Sequence, residues 1–160
     1  MLQKNKVRFA FFFISIFVAE SAFAQSFLPP AISWHGKSES FIAQSNNPWI
    51  TPTEISGFVT TPNYEETITW FKKLTDATPL LTMVSIGKSV EGRDISMIIA
   101  STEKNIKPGA LKKSKKPLLL VQAGIHSGEI DGKDAGMMLL RDIAFGNKRS
   151  LVEKVNFLFI

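Results

Sequence analysis

A strand–loop–helix unit in the last third of the sequence restricts the possible fold more than any other feature. Residues 117–123 form an apolar run that predicts a strand, and residues 132–145 have the apolar period of a helix that stops at Gly146. Because the run is nearly all apolar, it predicts a strand buried on both faces of a sheet covered by helices. The predicted inward stripe of the helix consists of Ala135, Met138, Leu139 and Ile143.

The loop of this unit carries two side chains that can bind a metal ion. His126 and Glu129 are three residues apart, and imidazole nitrogen and carboxylate oxygen are both zinc ligands. The pattern alone also fits a loop histidine beside a carboxylate that caps the helix. The position of the pair favours a metal site, since ligand sites of open α/β sheets lie at the carboxyl ends of strands.

The remaining elements predict an α/β protein. Residues 62–78 read as a helix that begins with a capping box formed by Asn63 and Glu66. Strands are predicted over residues 80–86 and 95–100, with a glycine-containing turn between them on which Glu91 and Arg93 can pair. A polar loop over 102–117 and a strand over 155–160 complete the list.

Two motifs together resemble the zinc carboxypeptidase family of the carboxypeptidase A type. Residues 86–95, Ile-Gly-Lys-Ser-Val-Glu-Gly-Arg-Asp-Ile, are similar to the family's turn between two strands, and the His126/Glu129 pair follows 33 residues after Arg93. The resemblance covers residues 62–160. It implies part of a mixed, mostly parallel sheet flanked by helices, truncated at its carboxyl end.

The resemblance also implies a function and a site. It implies a zinc metallocarboxypeptidase that hydrolyses C-terminal residues from peptides, with Zn²⁺ bound by His126 and Glu129. In the family, a second ligand histidine, a carboxylate-binding arginine and a general-base glutamate come later in the chain, which here means beyond Ile160. We therefore assign no catalytic residue within the sequence, and we expect the chain alone to be inactive and poorly stable. His35 lies on the wrong side of the motif and is not expected to be a ligand.

The motif departs from the family pattern at the residues on either side of Glu129. Many members have a bulky or basic residue before this glutamate and tryptophan after it, whereas this sequence has Gly128 and Ile130. The small residue predicts a more open site. The expected substrate is accordingly a peptide, with a cell-wall peptide as one possibility.

Two other functions are compatible with the sequence. A zinc-dependent acylase of the aspartoacylase or succinylglutamate desuccinylase type shares the His-x-x-Glu pair, although the upstream turn favours the peptidase. A non-catalytic exported binding module would keep the scaffold without the chemistry, and the intact His126 and Glu129 argue against it.

The first 24 residues predict a signal peptide. Basic residues precede a short apolar run, and Ala22-Phe23-Ala24 is typical of a cleavage site, so we expect cleavage after Ala24. The run is too short for a comfortable membrane span, which takes about 20 residues. We therefore expect an exported, periplasmic or secreted protein without a stable span, followed by an irregular N-terminal extension over residues 25–61 and a domain over 62–160.

Composition excludes several other classes. The chain has no cysteine, so it has no disulfide, thiol nucleophile or cysteine metal site. The net charge of +5 includes three basic residues and one acidic residue of the first 24, which leaves +3 for the remainder. A charge of that size gives no reason to expect nucleic acid binding.

Overall fold

The computed structural model describes residues 35–126 and 128–160. Contacts divide the chain into two units, Met1–Lys37 and Ser38–Ile160, and the fold below is that of the second. The predicted signal peptide lies outside the described residues. Within the described residues, none of the helices has the length and apolar character needed to cross a membrane.

Helices and strands are interspersed along the chain. A 3₁₀ helix spans Lys37–Phe41 and is followed by α1 (Pro52–Ile55), α2 (Tyr64–Asp76), β1 (Leu81–Lys88), β2 (Asp94–Ala100), α3 (Pro108–Leu111), β3 (Leu118–Val121), α4 (Asp131–Phe145), α5 (Arg149–Lys154) and β4 (Asn156–Phe159). The first two lie in the stretch predicted to be irregular, and α3 lies in the predicted polar loop. The sequence pattern did not predict α5. The domain boundaries stay predictions.

The four strands form one mixed sheet in the order β1-β2-β4-β3. The pairings of β1 with β2 and of β2 with β4 are antiparallel, and β3 runs parallel to β4. The predicted α/β class with a mixed sheet flanked by helices is confirmed. In the described part of the chain, parallel pairing is confined to β3 and β4.

Side chains alternate across the two central strands. Ile98 and Ala100 of β2, with Phe157 and Phe159 of β4, point into a large apolar core formed with α2, α4 and α5. The opposite face carries a smaller cluster built from Met97, Ile99 and Leu111, with Leu158 packed against it. This alternation is what the two-residue period of a strand dictates when both faces of a sheet are covered.

Helix α2 begins as its sequence predicts. The Asn63 side chain accepts from the backbone N–H of Glu66 at 3.0 Å, and the Glu66 carboxylate accepts from the backbone N–H of Asn63 at 2.8 Å. Both partners of the predicted capping box are therefore in place, and two backbone donors that the helix leaves unpaired are satisfied. Trp70, Phe71 and Leu74 follow on the buried face.

The buried face of α4 differs from the predicted stripe. Ile143 is buried as expected, but Ala135 is exposed and both Met138 and Leu139 are only partly buried. The buried residues are instead Asp134, Gly136, Met137, Leu140, Arg141 and Ile143. The helix is rotated from the predicted orientation because two charged residues find partners inside the protein and a glycine leaves room for an aromatic ring.

Strand β3 is also less buried than predicted. Leu118, Leu119 and Leu120 are 51%, 48% and 57% exposed, so the prediction of a strand covered on both faces is wrong for the described chain. The reason is its place in the sheet, since β3 is an edge strand that pairs with β4 alone. In an apolar edge strand, both the unpaired backbone groups and the apolar side chains are exposed to solvent.

A buried ion pair fastens the segment before α2 to α4. The Glu54 carboxylate lies 2.6 Å from Nη1 of Arg141, and both side chains are almost completely buried. The same carboxylate accepts from the backbone N–H groups of Ala43 and Thr51, each at 2.8 Å, and Arg141 also donates to the carbonyl of Phe41 at 2.8 Å. Arg141 Nε also donates to Asp142 at 2.8 Å, so all three nitrogens of the guanidinium have partners inside the protein.

The surroundings of Glu54 keep it charged. Burial on its own would raise the pKa of this carboxyl, but hydrogen bonds from Arg141, Ala43 and Thr51 outweigh burial and hold the pKa below its usual 4.5. A depressed pKa in the folded state stabilises the fold above the unfolded pKa. This contribution is lost as the pH falls through the lower pKa of the folded state.

We expect Arg141→Met to destabilise the protein by about 3–5 kcal/mol, because it leaves the Glu54 carboxylate buried without its cation. Arg93→Met is the matched control: Arg93 pairs with Glu91 at 2.9 Å, and both side chains are more than half exposed. The control should lose at most about 1 kcal/mol. Urea unfolding monitored by circular dichroism measures both, and equal losses would contradict the assignment of Arg141 as a structural anchor.

A second prediction concerns the contact between α4 and β4. A Cβ added at Gly136 would overlap the ring of Phe159, so Gly136→Ala should cost about 1–3 kcal/mol through overpacking. Gly109→Ala is the control, since a Cβ there meets nothing within 4 Å. Combining Gly136→Ala with Phe159→Leu should cost less than the sum of the two single changes. Additive losses in thermal unfolding would show that the ring does not limit this position.

Candidate metal centre

The loop that carries His126 and Glu129 starts where β3 leaves the sheet. Beyond the strand itself, Ile160 donates to the carbonyl of Val121 at 3.0 Å and Ala123 donates to the carbonyl of Ile160 at 2.8 Å. These two bonds continue the parallel pairing and fix the point at which the loop begins. Two glycines then turn the chain, with φ of +63° at Gly124 and +91° at Gly128, values that favour glycine.

The two predicted ligands lie side by side. Nδ1 of His126 is 3.0 Å from Oε1 of Glu129, and the side chains are 75% and 65% exposed. Between them, the backbone N–H of Glu129 donates to the carbonyl of His126 at 3.2 Å, which closes a tight turn. The pair thus presents one nitrogen and one oxygen to solvent at the carboxyl end of a strand, where the sequence predicted a metal site.

The two donor atoms are of types that zinc binds in proteins. Zinc binds imidazole nitrogen and carboxylate oxygen at about 2.0–2.2 Å, so two atoms 3.0 Å apart can both reach one ion. Catalytic zinc sites use three protein ligands. Within residues 35–126 and 128–160, no group of three or more histidine, aspartate or glutamate residues is placed to hold a metal. The described chain therefore offers a pair of ligands that fits the ion but does not complete its shell.

The pair opens into a groove of about 860 Å³. One wall comes from the start of α2, including Tyr64, and another from the turn between β1 and β2, including Val90 and Arg93. Volumes of roughly 300–1,000 Å³ are usual for sites that bind small ligands. The two motifs singled out in the sequence, 33 residues apart, therefore line the same groove.

The turn between β1 and β2 is held by its own charges. Arg93 pairs with Glu91 at 2.9 Å, as the sequence predicted, and its guanidinium lies over the ring of Tyr64 with 5.8 Å to the centroid. The hydroxyl of Ser85, and then the ammonium of Lys88, keep the pKa of Asp94 below its ordinary value. The wall of the groove is thus a turn whose anionic groups are both paired with cations.

The start of α4 is held by contacts with the residues that precede α2. The N-cap is Ile130, which has no side-chain cap, and Asp131 lies in the first turn, where a negative charge is favourable. Lys133 lines the groove and donates to the Thr61 hydroxyl at 2.7 Å and to the carbonyl of Pro62 at 2.6 Å. No local signal predicts these contacts, because the partners are more than 70 residues apart.

Comparison with known proteins places the chain in a family. Residues 67–160, more than half of the chain, match the family model described as zinc carboxypeptidase. None of the curated proteins searched matches the sequence.

Solved structures with a similar fold include two that are named as carboxypeptidases. A carboxypeptidase A from Helicoverpa armigera matches 62% of this chain with a TM-score of 0.52 and 22% identity, and a metallo-carboxypeptidase from Burkholderia cenocepacia matches 62% with 0.52 and 21%. Thrombin activatable fibrinolysis inhibitor matches 76% with 0.53 and 16%. The chain spans only 23%, 26% and 30% of these three proteins. The identities are low enough that these likenesses concern the fold alone, whereas the family model rests on the sequence: the chain belongs to the zinc carboxypeptidase family.

Proposed function

We propose that the complete protein is a zinc-dependent metallocarboxypeptidase that releases C-terminal residues from peptides. The observation that carries the proposal is the 3.0 Å separation of His126 Nδ1 and Glu129 Oε1 at the end of β3, in a chain of the zinc carboxypeptidase family. The same family match favours peptide hydrolysis over the acylase that shares the His-x-x-Glu pair.

Each part of the site has a proposed task. His126 and Glu129 supply two zinc ligands, and the groove that they share with the turn around Arg93 receives the peptide. A bound zinc ion polarises a carbonyl group and lowers the pKa of a bound water molecule. The third ligand, the general base and the cation for the substrate's terminal carboxylate are proposed to come from parts of the protein outside residues 1–160.

The proposed substrate is a peptide, with cell-wall peptides included. Gly128 lies between the two ligands and contributes no side chain to the groove, so a branched or unusual peptide end meets less steric resistance there. The support is the open space next to Gly128, where an added Cβ would meet nothing within 4 Å.

The metal assignment can be tested in the complete protein. His126→Ala and Glu129→Ala should each abolish stoichiometric zinc and the zinc-dependent hydrolysis of blocked dipeptides, because each removes one ligand of three. Glu129→Asp should weaken zinc binding, since its carboxylate is withdrawn by about one methylene. His35→Ala changes the other histidine of the chain and should keep full zinc content.

Metal analysis that finds stoichiometric zinc in His126→Ala would refute the site. Zinc without hydrolysis in the parent would indicate a binding module.

We also propose that the protein is exported and cleaved after Ala24. The support is the sequence of residues 1–24, with its basic start, short apolar run and Ala22-Phe23-Ala24. Mass spectrometry of the exported protein should find Gln25, in free or cyclised form, at the N-terminus. A mature protein that retains the apolar run of residues 9–19 would contradict the proposal.

A further inference from the structure

The loop with His126 and Glu129 is held at its two ends by different kinds of contact. At its first end, Ala123 is held to β4 by the backbone bond to Ile160. At its second end, the loop runs directly into α4, and the backbone N–H of Asp134 donates to the carbonyl of Ile130 at 3.1 Å. The position of Glu129 therefore depends on where the first turn of α4 is fixed.

Side chains fix that first turn. Lys133 donates to the hydroxyl of Thr61 at 2.7 Å, Thr61 donates to Oδ1 of Asp134 at 3.0 Å, and the ammonium of Lys133 lies 3.0 Å from the same Oδ1. The three groups form a closed triangle. A fourth contact, from Lys133 to the carbonyl of Pro62 at 2.6 Å, joins the triangle to the residue before the N-cap of α2.

The triangle is partly shielded from water, which strengthens its contacts. The Lys133 and Asp134 side chains are 23% and 11% exposed, whereas His126 and Glu129 are mostly exposed. A charged group at partial burial that loses its partner is costly, so the triangle resists opening. The backbone also fits closely, since a Cβ on Gly132 would lie 3.2 Å from Cβ of Ala123, and the two ends of the loop are thus in contact.

We infer that Lys133 is a positioning residue for the metal pair. Together with Thr61 and Asp134, it fixes the first turn of α4 against the start of α2 and so holds Glu129 beside His126. The contacts of Lys133 are with Thr61, Pro62 and Asp134, so it acts on the pair through the position of Glu129. The expected effect on zinc binding rests on the proposed function, whereas the expected effect on the position of the loop is independent of it.

The test uses two variants and two matched controls in the complete protein. Lys133→Met keeps most of the side-chain stem but removes the ammonium, and Thr61→Val removes the hydroxyl with little change in volume. Thr61→Ser keeps the hydroxyl and should behave like the parent. Lys73→Met removes another lysine that donates to a proline carbonyl, that of Pro48 at 3.1 Å, at an exposed place outside the groove.

Two measurements separate the possible outcomes. Amide hydrogen exchange of the metal-free protein should become at least several-fold faster over residues 124–132 in Lys133→Met and Thr61→Val, with β2 and α2 unchanged. Titration with zinc ions should show affinity about 10–100-fold weaker in these two variants, the usual effect of removing a group that orients a metal ligand. Both controls should match the parent in both measurements.

The results distinguish failure of this inference from failure of the proposed function. A parent that binds no zinc, with exchange increased in Lys133→Met and Thr61→Val, would refute the metal site and leave the positioning role supported. A parent that binds zinc, with both variants at parental affinity and exchange, would overturn the role of Lys133. Exchange that rises throughout the protein would also overturn it, by showing general stabilisation instead of positioning. If Lys133→Met does not fold, the comparison of Thr61→Val with Thr61→Ser decides.

Discussion

The parallel pairing of β3 with β4 is the interaction on which the candidate site depends. Strand β3 contributes little apolar burial, since three of its four residues are about half exposed, so backbone hydrogen bonds to β4 hold it in place. Strand β4 is in turn fixed by burial, because Phe157 and Phe159 lie in the core and the Phe159 ring occupies the space above Gly136. The position of the loop with His126 and Glu129 is therefore set by contacts that run from α4 through β4 to β3. The core sets the point at which the loop starts, although neither His126 nor Glu129 belongs to it.

Features that depend on neighbouring residues could be predicted from the sequence. The capping box of Asn63 and Glu66, the turn with the Glu91–Arg93 pair, and the loop that brings His126 and Glu129 together each involve residues at most three apart. At such short range, the chain geometry leaves few alternatives, and the residue types identify the arrangement. The family resemblance was carried by two of these same local features.

Features that depend on distant partners could not be predicted. An apolar stripe drawn on α4 excludes Asp134 and Arg141, yet both are buried because Thr61 and Glu54, 73 and 87 residues away, satisfy them. Once these two residues, two helical turns apart, face inward, the apolar neighbours must rotate with them. The exposure of β3 has a similar origin, since an apolar run shows that a strand is suited to burial but does not show its place in the sheet. Strand order is a property of the whole chain.

The open character of the candidate site and the spacing of His126 and Glu129 have a common cause in Gly128. Its φ of +91° lies where residues with a side chain are rarely found, although an added Cβ would meet nothing within 4 Å. The obstacle to a larger residue is therefore the backbone and not the space. A bulky residue, as the family resemblance leads one to expect here, would require another φ between His126 and Glu129, and so another route for the loop. Since no side chain projects from this position, under the proposed function the contacts that discriminate between peptides on this side of the pair would fall to the groove walls, which include Arg93 and Tyr64.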